Sequence, residues 1–238
     1  MKTIVFDIWG DFGHFKKFYT TSSPLTFSFP PPPTVRGMLG AIAGIDKSEY
    51  LKFFSHNKCK VAISIISPVK KIRIGINHIN TKGNYWIPVK KGSHEARTQI
   101  RTEFLKNPHY RLYVYHQDEE VFNSLLENIK KHKTVYTLSL GLSELLADFK
   151  YIGVFEFAEK EDSEGEITTV IPISTVEKYG IDFEEGKKYF KERIPAEMDC
   201  NRIVERYEDV IFEVEGKPIC ARTKRCWEAE NGERIVFF

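Results

Sequence analysis

The segment from residue 9 to residue 44 constrains the fold more than any other part of the sequence. It reads WGDFGHFKKFYTTSSPLTFSFPPPPTVRGMLGAIAG and joins an apolar first strand to a glycine-studded helix. The proline run from Pro30 to Pro33 predicts a rigid extended segment ahead of the helix, because proline fixes φ and lacks a backbone N–H. Thr34 then suits the N-cap position, where its hydroxyl satisfies a free backbone N–H.

Small residues follow one another along a single face of this predicted helix. Gly37, Gly40, Ala41 and Gly44 place hydrogen atoms and a methyl group where larger side chains normally stand. The spacing G-x-x-G-x-x-x-G inside a helix differs from that of a dinucleotide-binding loop. The pattern therefore predicts that the helix packs very close to a neighbouring element.

The loop before the proline run mixes cations with aromatic rings. It carries Lys16, Lys17, Phe18 and Tyr19, a combination that suits single-stranded nucleic acid. Arg36 is predicted in the first turn of the helix, beside free backbone N–H groups that favour a phosphate. We therefore expect Lys16, Lys17, Tyr19 and Arg36 to bind RNA.

A second basic segment alternates strictly between apolar and polar residues. In residues 71–79, three isoleucines face one way while Lys71, Arg73 and Asn77 face the other. Residues 97–102 repeat the pattern, with Arg97 and Arg101 on the polar side. This predicts a long hairpin with one apolar and one cationic side, whose arginines Arg73, Arg97 and Arg101 bind phosphates or bases. The alternative is that such arginines bind no ligand and only protect an exposed sheet edge from aggregation.

Charge is distributed unevenly along the chain. From residue 70 to residue 106 nine Lys/Arg accompany two acidic residues, whereas residues 156–215 contain eight Lys/Arg and 18 acidic residues. This asymmetry indicates one surface for a polyanion and another for water or a protein partner. A weaker basic patch near the end of the chain comprises Lys217, Arg222, Lys224 and Arg225.

The order of predicted elements indicates an α+β fold. Strands are predicted at 2–9, 59–66, 71–79, 97–102, 112–115, 134–140 and 151–157, and helices at 35–43, 46–54 and from residue 118. Strand–helix–strand–hairpin–strand–helix–strand is the order of a ferredoxin-like, RRM-type unit. We predict such a domain over residues 1–148, with the hairpin at about 70–106, and a β-rich region packed on it over residues 149–238. The acidic segment 159–166 is predicted to be a mobile surface loop.

Composition excludes several classes of protein. A hydrophobic content of 42% allows a sizeable core, yet no apolar run approaches the roughly 20 residues of a membrane helix. The first residues do not resemble a signal peptide, and the four cysteines form no C-x-x-C pair, which favours reduced thiols in the cytoplasm. Standard enzyme, cofactor and metal motifs are absent from the sequence. We expect no membrane, no metal and no cofactor.

Two motifs resemble a known family. The first is Gly10-x-Phe12-x-x-Phe15-Lys16, a proline-rich segment, and Thr34-x-x-Gly37-Met38-Leu39-Gly40-Ala41-Ile42-x-Gly44. The second is Thr137-x-x-Leu140-Gly141-x-Ser143-Glu144. Over about residues 1–45 and 134–158 the chain resembles the CRISPR-associated Cas five family. The resemblance implies a RAMP fold, which is an RRM-like domain with a β-hairpin thumb, here the hairpin at 70–106.

The resemblance also implies a function. Members of the family are subunits of type I CRISPR Cascade complexes, here of subtype I-B, in antiviral defence. They cap the 5′ handle of the CRISPR RNA (crRNA) and contact a Cas seven-type backbone subunit and a Cas eight-type large subunit. The loop 11–23, Arg36 and the turn at Gly141 and Ser143 would hold the handle, and the thumb could touch target DNA. Most members are not enzymes.

Two alternatives stay open. The first is a metal-independent endoribonuclease that processes the crRNA precursor, as members of subtype I-C do. There His14 would activate the 2′-hydroxyl and Lys17 would stabilise the phosphorane. The second is a generic RRM-like RNA-binding protein that acts outside any complex.

Overall fold

The fold is built around one long antiparallel sheet, described by a computed structural model over residues 1–20, 23–79, 81 and 97–238. The strands are β1 (Lys2–Trp9), β2 (Phe12–Gly13), β3 (Cys59–Ile65), β4 (Lys71–Ile79), β5 (Arg97–Lys106), β6 (His109–His116), β7 (Asp148–Ile167), β8 (Ile171–Pro172), β9 (Val176–Ile181), β10 (Tyr189–Met198), β11 (Val204–Glu213), β12 (Ile219–Ala229) and β13 (Arg234–Ile235). The helices are α1 (Pro32–Ala43), α2 (Tyr50–Phe53) and α3 (Glu119–Lys130), with a 3-10 turn at Ile173–Thr175.

The main sheet has the order β13-β12-β7-β1-β6-β3, and β9 pairs with β12 beside it. Helices α1 and α2 connect β1 to β3, and α3 connects β6 to β7, so both connections carry helices. Strand β1 lies at the centre and is buried on both faces, because Ile4, Phe6 and Ile8 enter one core cluster and Val5 enters another. The cluster that contains Ile4, Phe6 and Ile8 also contains Ile194 from β10, so the C-terminal region packs directly on the first half of the chain.

Helix α1 begins earlier than the sequence predicts. Its N-cap is Pro31, and Pro32 and Pro33 are its first two residues. Two predictions are therefore wrong: the extended segment ends at Pro31, and Thr34 is not the N-cap. The physical reason is that proline suits the first turn, where backbone N–H groups have no partner within the helix. Thr34 instead donates its own N–H to the Pro31 carbonyl oxygen at 2.8 Å.

The small residues of α1 allow the close packing that the sequence predicts. A Cβ atom on Gly40 would lie 2.9 Å from the Cβ of Tyr50 at the start of α2, and one on Gly37 would lie 3.7 Å from the Tyr50 ring. At the end of the helix, Gly44 has φ +77 and lies against Val135. A larger side chain at Gly40 would push α1 and α2 apart.

The strand predicted at 134–140 does not form. The N–H groups of Val135 and Tyr136 both donate to the Ala41 carbonyl oxygen, so this segment closes the end of α1. Leu140 then donates to the Leu145 carbonyl oxygen at 2.8 Å, within a tight turn. These three backbone N–H groups are therefore used by a helix end and a local turn instead of a strand of the sheet. Only an isolated bridge between Ser139 and Leu146 is present in the described part of this segment.

The acidic segment 159–166 is also different from the prediction. It forms the second half of β7, a 20-residue strand, and pairs with β12 in an antiparallel register. Arg225 lies opposite Glu161, and its Nε atom is 2.8 Å from the Glu159 carboxylate. Cations of β12 therefore compensate the carboxylates of β7, which allows an acidic sequence to form a strand.

The predicted basic hairpin is present as β4 and β5, joined by β2 into a small sheet of order β2-β5-β4. Along β4 the alternation holds, since Ile72, Ile74 and Ile76 are half-buried and the residues between them are exposed. Residues 80 and 82–96, which include the predicted turns of the hairpin, lie outside the described residues. No described helix is long and apolar enough to cross a membrane.

Candidate nucleic-acid interface

The polar face of the hairpin gathers the three arginines that the sequence singles out. Strand pairing places Arg101 opposite Gly75, Arg73 opposite Glu103, and Arg97 opposite Ile79, so all three arginines project from one face. The Arg73 side chain is 69% exposed, and its Nε atom lies 3.8 Å from the Glu103 carboxylate. This face offers guanidinium groups to solvent at intervals along two adjacent strands.

An ionic cluster anchors the base of the hairpin to the rest of the protein. Lys17 donates to a carboxylate oxygen of Glu192 in β10 at 2.9 Å, and the Lys71 ammonium lies 3.6 Å from the same oxygen. Lys71 also lies 3.9 Å from the Glu103 carboxylate and donates to the Thr26 carbonyl oxygen at 3.0 Å. The cluster thus joins the first loop, the hairpin and the C-terminal sheet.

Burial and charge act in opposite directions within this cluster. Burial disfavours the charged form of Lys17, but the Glu192 carboxylate outweighs it and raises the pKa of the Lys17 ammonium. For Lys71 burial prevails, and its pKa is lowered although Glu192 lies close. Lys17 is therefore already paired within the protein, which leaves Lys16 as the less constrained cation of the predicted pair.

The aromatic residues of the first loop lie on the surface. Phe18 and Tyr19 are 51% and 59% exposed, and their rings meet edge to face at 5.1 Å. The other side of Phe18 contacts Tyr207 of β11, with ring centroids 4.8 Å apart. The loop is held by a bridge between Lys16 and Thr26, so these rings extend from an ordered base.

His14, the candidate general base, lies beneath this surface. Its side chain is 3% exposed, and its Nδ1 atom is 2.7 Å from the Glu103 carbonyl oxygen. Its ring lies 5.5 Å from that of Phe104. The geometry explains His14 as a residue that fixes the first loop to β5. Lys17, its predicted partner in cleavage, is engaged by Glu192.

The turn at Gly141 packs against the same loop. Gly141 has φ +104, and a Cβ atom there would lie 1.9 Å from the His14 carbonyl oxygen. The His14 N–H donates to the Leu140 carbonyl oxygen at 2.9 Å, which fixes this close approach. Ser143 is exposed nearby, and its hydroxyl donates to the Glu144 carboxylate at 3.3 Å. Glycine is needed here because of packing, whatever else the turn contacts.

A groove runs between α1 and the segment that leads to this turn. Its volume is about 560 Å³. Its lining includes Pro33, Gly37 and Ala41 from the helix and Tyr136 and Gly141 from the segment opposite. The small residues of α1 therefore have two effects. They allow close packing against α2, and they leave a groove open beside Gly141.

Arg36 is not where the sequence analysis places it. Because α1 begins at Pro32, Arg36 lies in the second turn, and its side chain is only 1% exposed. One nitrogen donates weakly to the Ala196 carbonyl oxygen at 3.4 Å, and Nε and Nη2 have no partner among the described residues. Burial lowers the pKa of the Arg36 guanidinium. The expectation of an exposed phosphate ligand in the first helical turn is wrong.

Comparison with known families decides where the chain belongs. The model for the family described as "CRISPR-associated protein (Cas_Cas5)" matches residues 3–212, which is most of the sequence. The chain belongs to this Cas five family. A search among curated proteins finds no match to the sequence.

Solved structures share the fold of this Cas five chain. A CRISPR protein from Archaeoglobus fulgidus is similar over 100% of this chain and 98% of its own, with 15% identity and a TM-score of 0.57. A chain of a CRISPR RNA-guided surveillance complex is similar over 91% of both chains, with 10% identity and a TM-score of 0.55. At these identities the similarity concerns the fold.

Sequence reasoning missed the part of the surface that β10 and β11 supply. Glu192 contacts Lys17 and Tyr207 contacts Phe18, about 180 positions earlier in the chain. Local sequence patterns do not predict contacts over such separations. The predicted β-rich region 149–238 includes β10 and β11, but the sequence does not indicate that they contact the first loop. Among the described residues, no group of three or more His, Cys, Asp or Glu side chains is placed to hold a metal ion.

Proposed function

We propose that this Cas five chain is a non-catalytic subunit of a type I CRISPR effector complex, in which it binds and caps the 5′ handle of crRNA. The observation that carries the proposal is the arginine face of the hairpin, whose base is joined to the aromatic first loop through Lys71, Glu192 and Lys17. An exposed row of guanidinium groups beside exposed aromatic rings suits a flexible, single-stranded polyanion. Membership of the family supports the same function.

The fold supports this proposal through its topology. Four adjacent strands of the main sheet have the order β7-β1-β6-β3, with helices after β1 and β6. We infer from this that residues 1–148, together with the first part of β7, form a ferredoxin-like unit of the RAMP type. The hairpin of β4 and β5 is inserted between its second and third strands and would serve as the thumb.

The partners follow from the proposed complex. We propose crRNA, a Cas seven-type backbone subunit and a Cas eight-type large subunit as its partners, in a cytoplasmic complex of subtype I-B. A solved chain of similar fold comes from a CRISPR RNA-guided surveillance complex, which supports assembly with RNA and other subunits. Target DNA near the thumb is a further proposed contact.

The burial of His14 supports the non-catalytic function. A general base has to reach the proton that it removes, within about 3 Å or through one water. The imidazole of His14 is buried, and its Nδ1 atom is occupied by the Glu103 carbonyl oxygen. Cleavage by His14 and Lys17 would require the first loop to leave its place on β5.

The experiment that tests the proposal combines binding and cleavage. Purified protein is incubated in EDTA with RNA that carries the CRISPR repeat, and binding is measured at several salt concentrations. We expect an intact RNA and a shifted band. For a single strand, removing one phosphate-binding cation reduces the steepness of log affinity against log salt by about 0.7. Arg101→Ala should therefore weaken binding and flatten this slope, whereas Arg225→Ala on β12 should change neither.

A cleavage control distinguishes the rival function. His14→Asn retains a hydrogen-bond donor toward Glu103 but cannot accept a proton as imidazole does. Specific cleavage in EDTA that is lost in His14→Asn, while the variant still binds RNA, would establish a ribonuclease and reject the capping proposal. Tight binding of RNA irrespective of the handle sequence would favour the generic RNA-binding protein.

A further inference from the structure

We infer that Phe18, Tyr19 and Tyr207 form a base-stacking subsite for single-stranded RNA, through which the C-terminal sheet takes part in binding. This inference rests on the proposed function and extends it to β10 and β11. The three rings form a chain, with centroids 5.1 Å apart for Phe18 and Tyr19 and 4.8 Å apart for Phe18 and Tyr207. They come from two segments almost 190 residues apart in sequence, so the cluster exists only in the folded protein.

The cluster lies outside the hydrophobic core. Phe18 and Tyr19 are more than half exposed, and neither ring contributes to a buried cluster. Adjacent exposed rings form an apolar patch, and contiguous apolar patches on a protein surface often mark binding sites. The faces of such rings stack on any nucleobase, because every base presents a π-face.

Two cations accompany the rings. The Arg193 guanidinium lies over the Tyr207 ring at 5.5 Å, and the Lys17 ammonium lies over the Tyr19 ring at 5.9 Å. In the described part of the chain Arg193 has no carboxylate within ion-pair distance, whereas Lys17 is paired with Glu192. The rings lie beside a guanidinium that has no carboxylate partner in the described part of the chain. This arrangement favours RNA over an apolar protein segment as the occupant, since a phosphate of RNA can pair with the guanidinium while the base of the same nucleotide stacks on a ring.

The loop that carries the rings is joined to the base of the hairpin through Lys17, Glu192 and Lys71. Glu192 in β10 holds both Lys17 and Lys71, and Lys71 is the first residue of β4, on the same face of the strand as Arg73. Lys17 thus anchors the loop to β10, and the next residue lays its ring on Tyr207 of β11. A strand of RNA that follows the hairpin arginines toward the base of the hairpin would meet these rings next.

The test separates stacking from phosphate contacts. The affinity of the full chain for a handle-bearing RNA with 2-aminopurine at successive positions is measured at several salt concentrations. Tyr207→Ala should weaken binding about 5- to 150-fold, the range expected for one stacked base, and leave the salt slope unchanged. Quenching of one 2-aminopurine position should be lost in Tyr207→Ala and retained in Tyr207→Phe. Tyr179→Ala is the matched control, since Tyr179 is exposed with Lys178 over its ring but has no aromatic partner among the described residues.

Each outcome is decisive. Wild-type affinity and quenching in Tyr207→Ala, with Arg101→Ala still weakened, would overturn the stacking subsite and leave the capping proposal intact. Failure of the wild-type chain to bind the RNA would overturn both. Unchanged RNA binding in Tyr207→Ala, together with loss of the variant from an assembled complex, would assign the rings to a protein partner and reject the inference. Thermal unfolding of Tyr207→Ala and Tyr179→Ala checks that both variants are folded.

Discussion

Substitution of Gly141 by alanine tests whether the turn beside the first loop is set by packing. Its φ of +104 is a conformation that costs a residue with a side chain about 1–3 kcal/mol. The new Cβ atom would also lie 1.9 Å from the His14 carbonyl oxygen, so the backbone has to move. That movement breaks the hydrogen bond from His14 to Leu140, which contributes about 1 kcal/mol. We expect Gly141→Ala to lower the free energy of unfolding by about 2–4 kcal/mol.

The assay is equilibrium unfolding in urea, with Gly186→Ala as the control. Gly186 also has a positive φ, +82, but a Cβ atom there meets nothing within 4 Å. The control therefore reports backbone strain alone, and Gly141→Ala should be at least about 1 kcal/mol less stable than Gly186→Ala because it also breaks a hydrogen bond. At a typical m value the midpoint of Gly141→Ala should fall by roughly 1 M urea. Equal destabilisation by the two substitutions would refute the reasoning from close packing.

Three further predictions concern buried or paired groups. Glu192→Gln should lower the free energy of unfolding, measured by urea titration, by about 1–3 kcal/mol, because Lys17 and Lys71 lose their shared carboxylate. The control Asp209→Asn removes the exposed ion pair with Lys191 and should cost less than about 1 kcal/mol. Equal costs of the two substitutions would argue against a stabilising ionic cluster. Burial raises the pKa of the Cys59 thiol from 9.0 to about 12, so the folded protein holds this proton more tightly and loses stability as the pH rises from 9 to 12. Cys59→Ala should reduce this loss in unfolding titrations, and an unchanged pH dependence would contradict the assignment. Arg36→Met should preserve stability and RNA affinity, because it removes a buried charge whose Nε and Nη2 have no partner among the described residues. A loss of RNA affinity in the folded variant would show that Arg36 binds RNA.

Local periodicity predicted the elements that carry a strong pattern. The alternation of isoleucines over residues 71–79 and of arginines over 97–102 predicted both strands of the hairpin and the face from which Arg101 projects. The helix predicted from residue 118 is present as α3, and Asp118 accepts hydrogen bonds from the N–H groups of Glu120 and Val121 as an N-cap does.

The predictions that failed depended on distant partners. The segment 134–140 has the composition of a strand, but its backbone groups are taken by the end of α1. The acidic segment 159–166 has the composition of a loop, and only the cations of β12 opposite it make a strand favourable. Arg36 resembles a surface residue because its sequence neighbours do not show that β10 covers it. In each case a contact between residues far apart in sequence outweighed the local preference.

The position of β7 has a consequence for the synthesis of the chain. Strand β1 leaves the ribosome before both of its partners, and it pairs with β6 on one side and with residues 148–156 of β7 on the other. At 5–20 residues per second, about 7–30 s pass between the synthesis of β1 and that of its second partner. Throughout that time an apolar strand edge stays open to pairing with other nascent chains. Slow translation or a scarcity of chaperones should therefore lower the yield of this protein before any partner subunit or RNA is encountered.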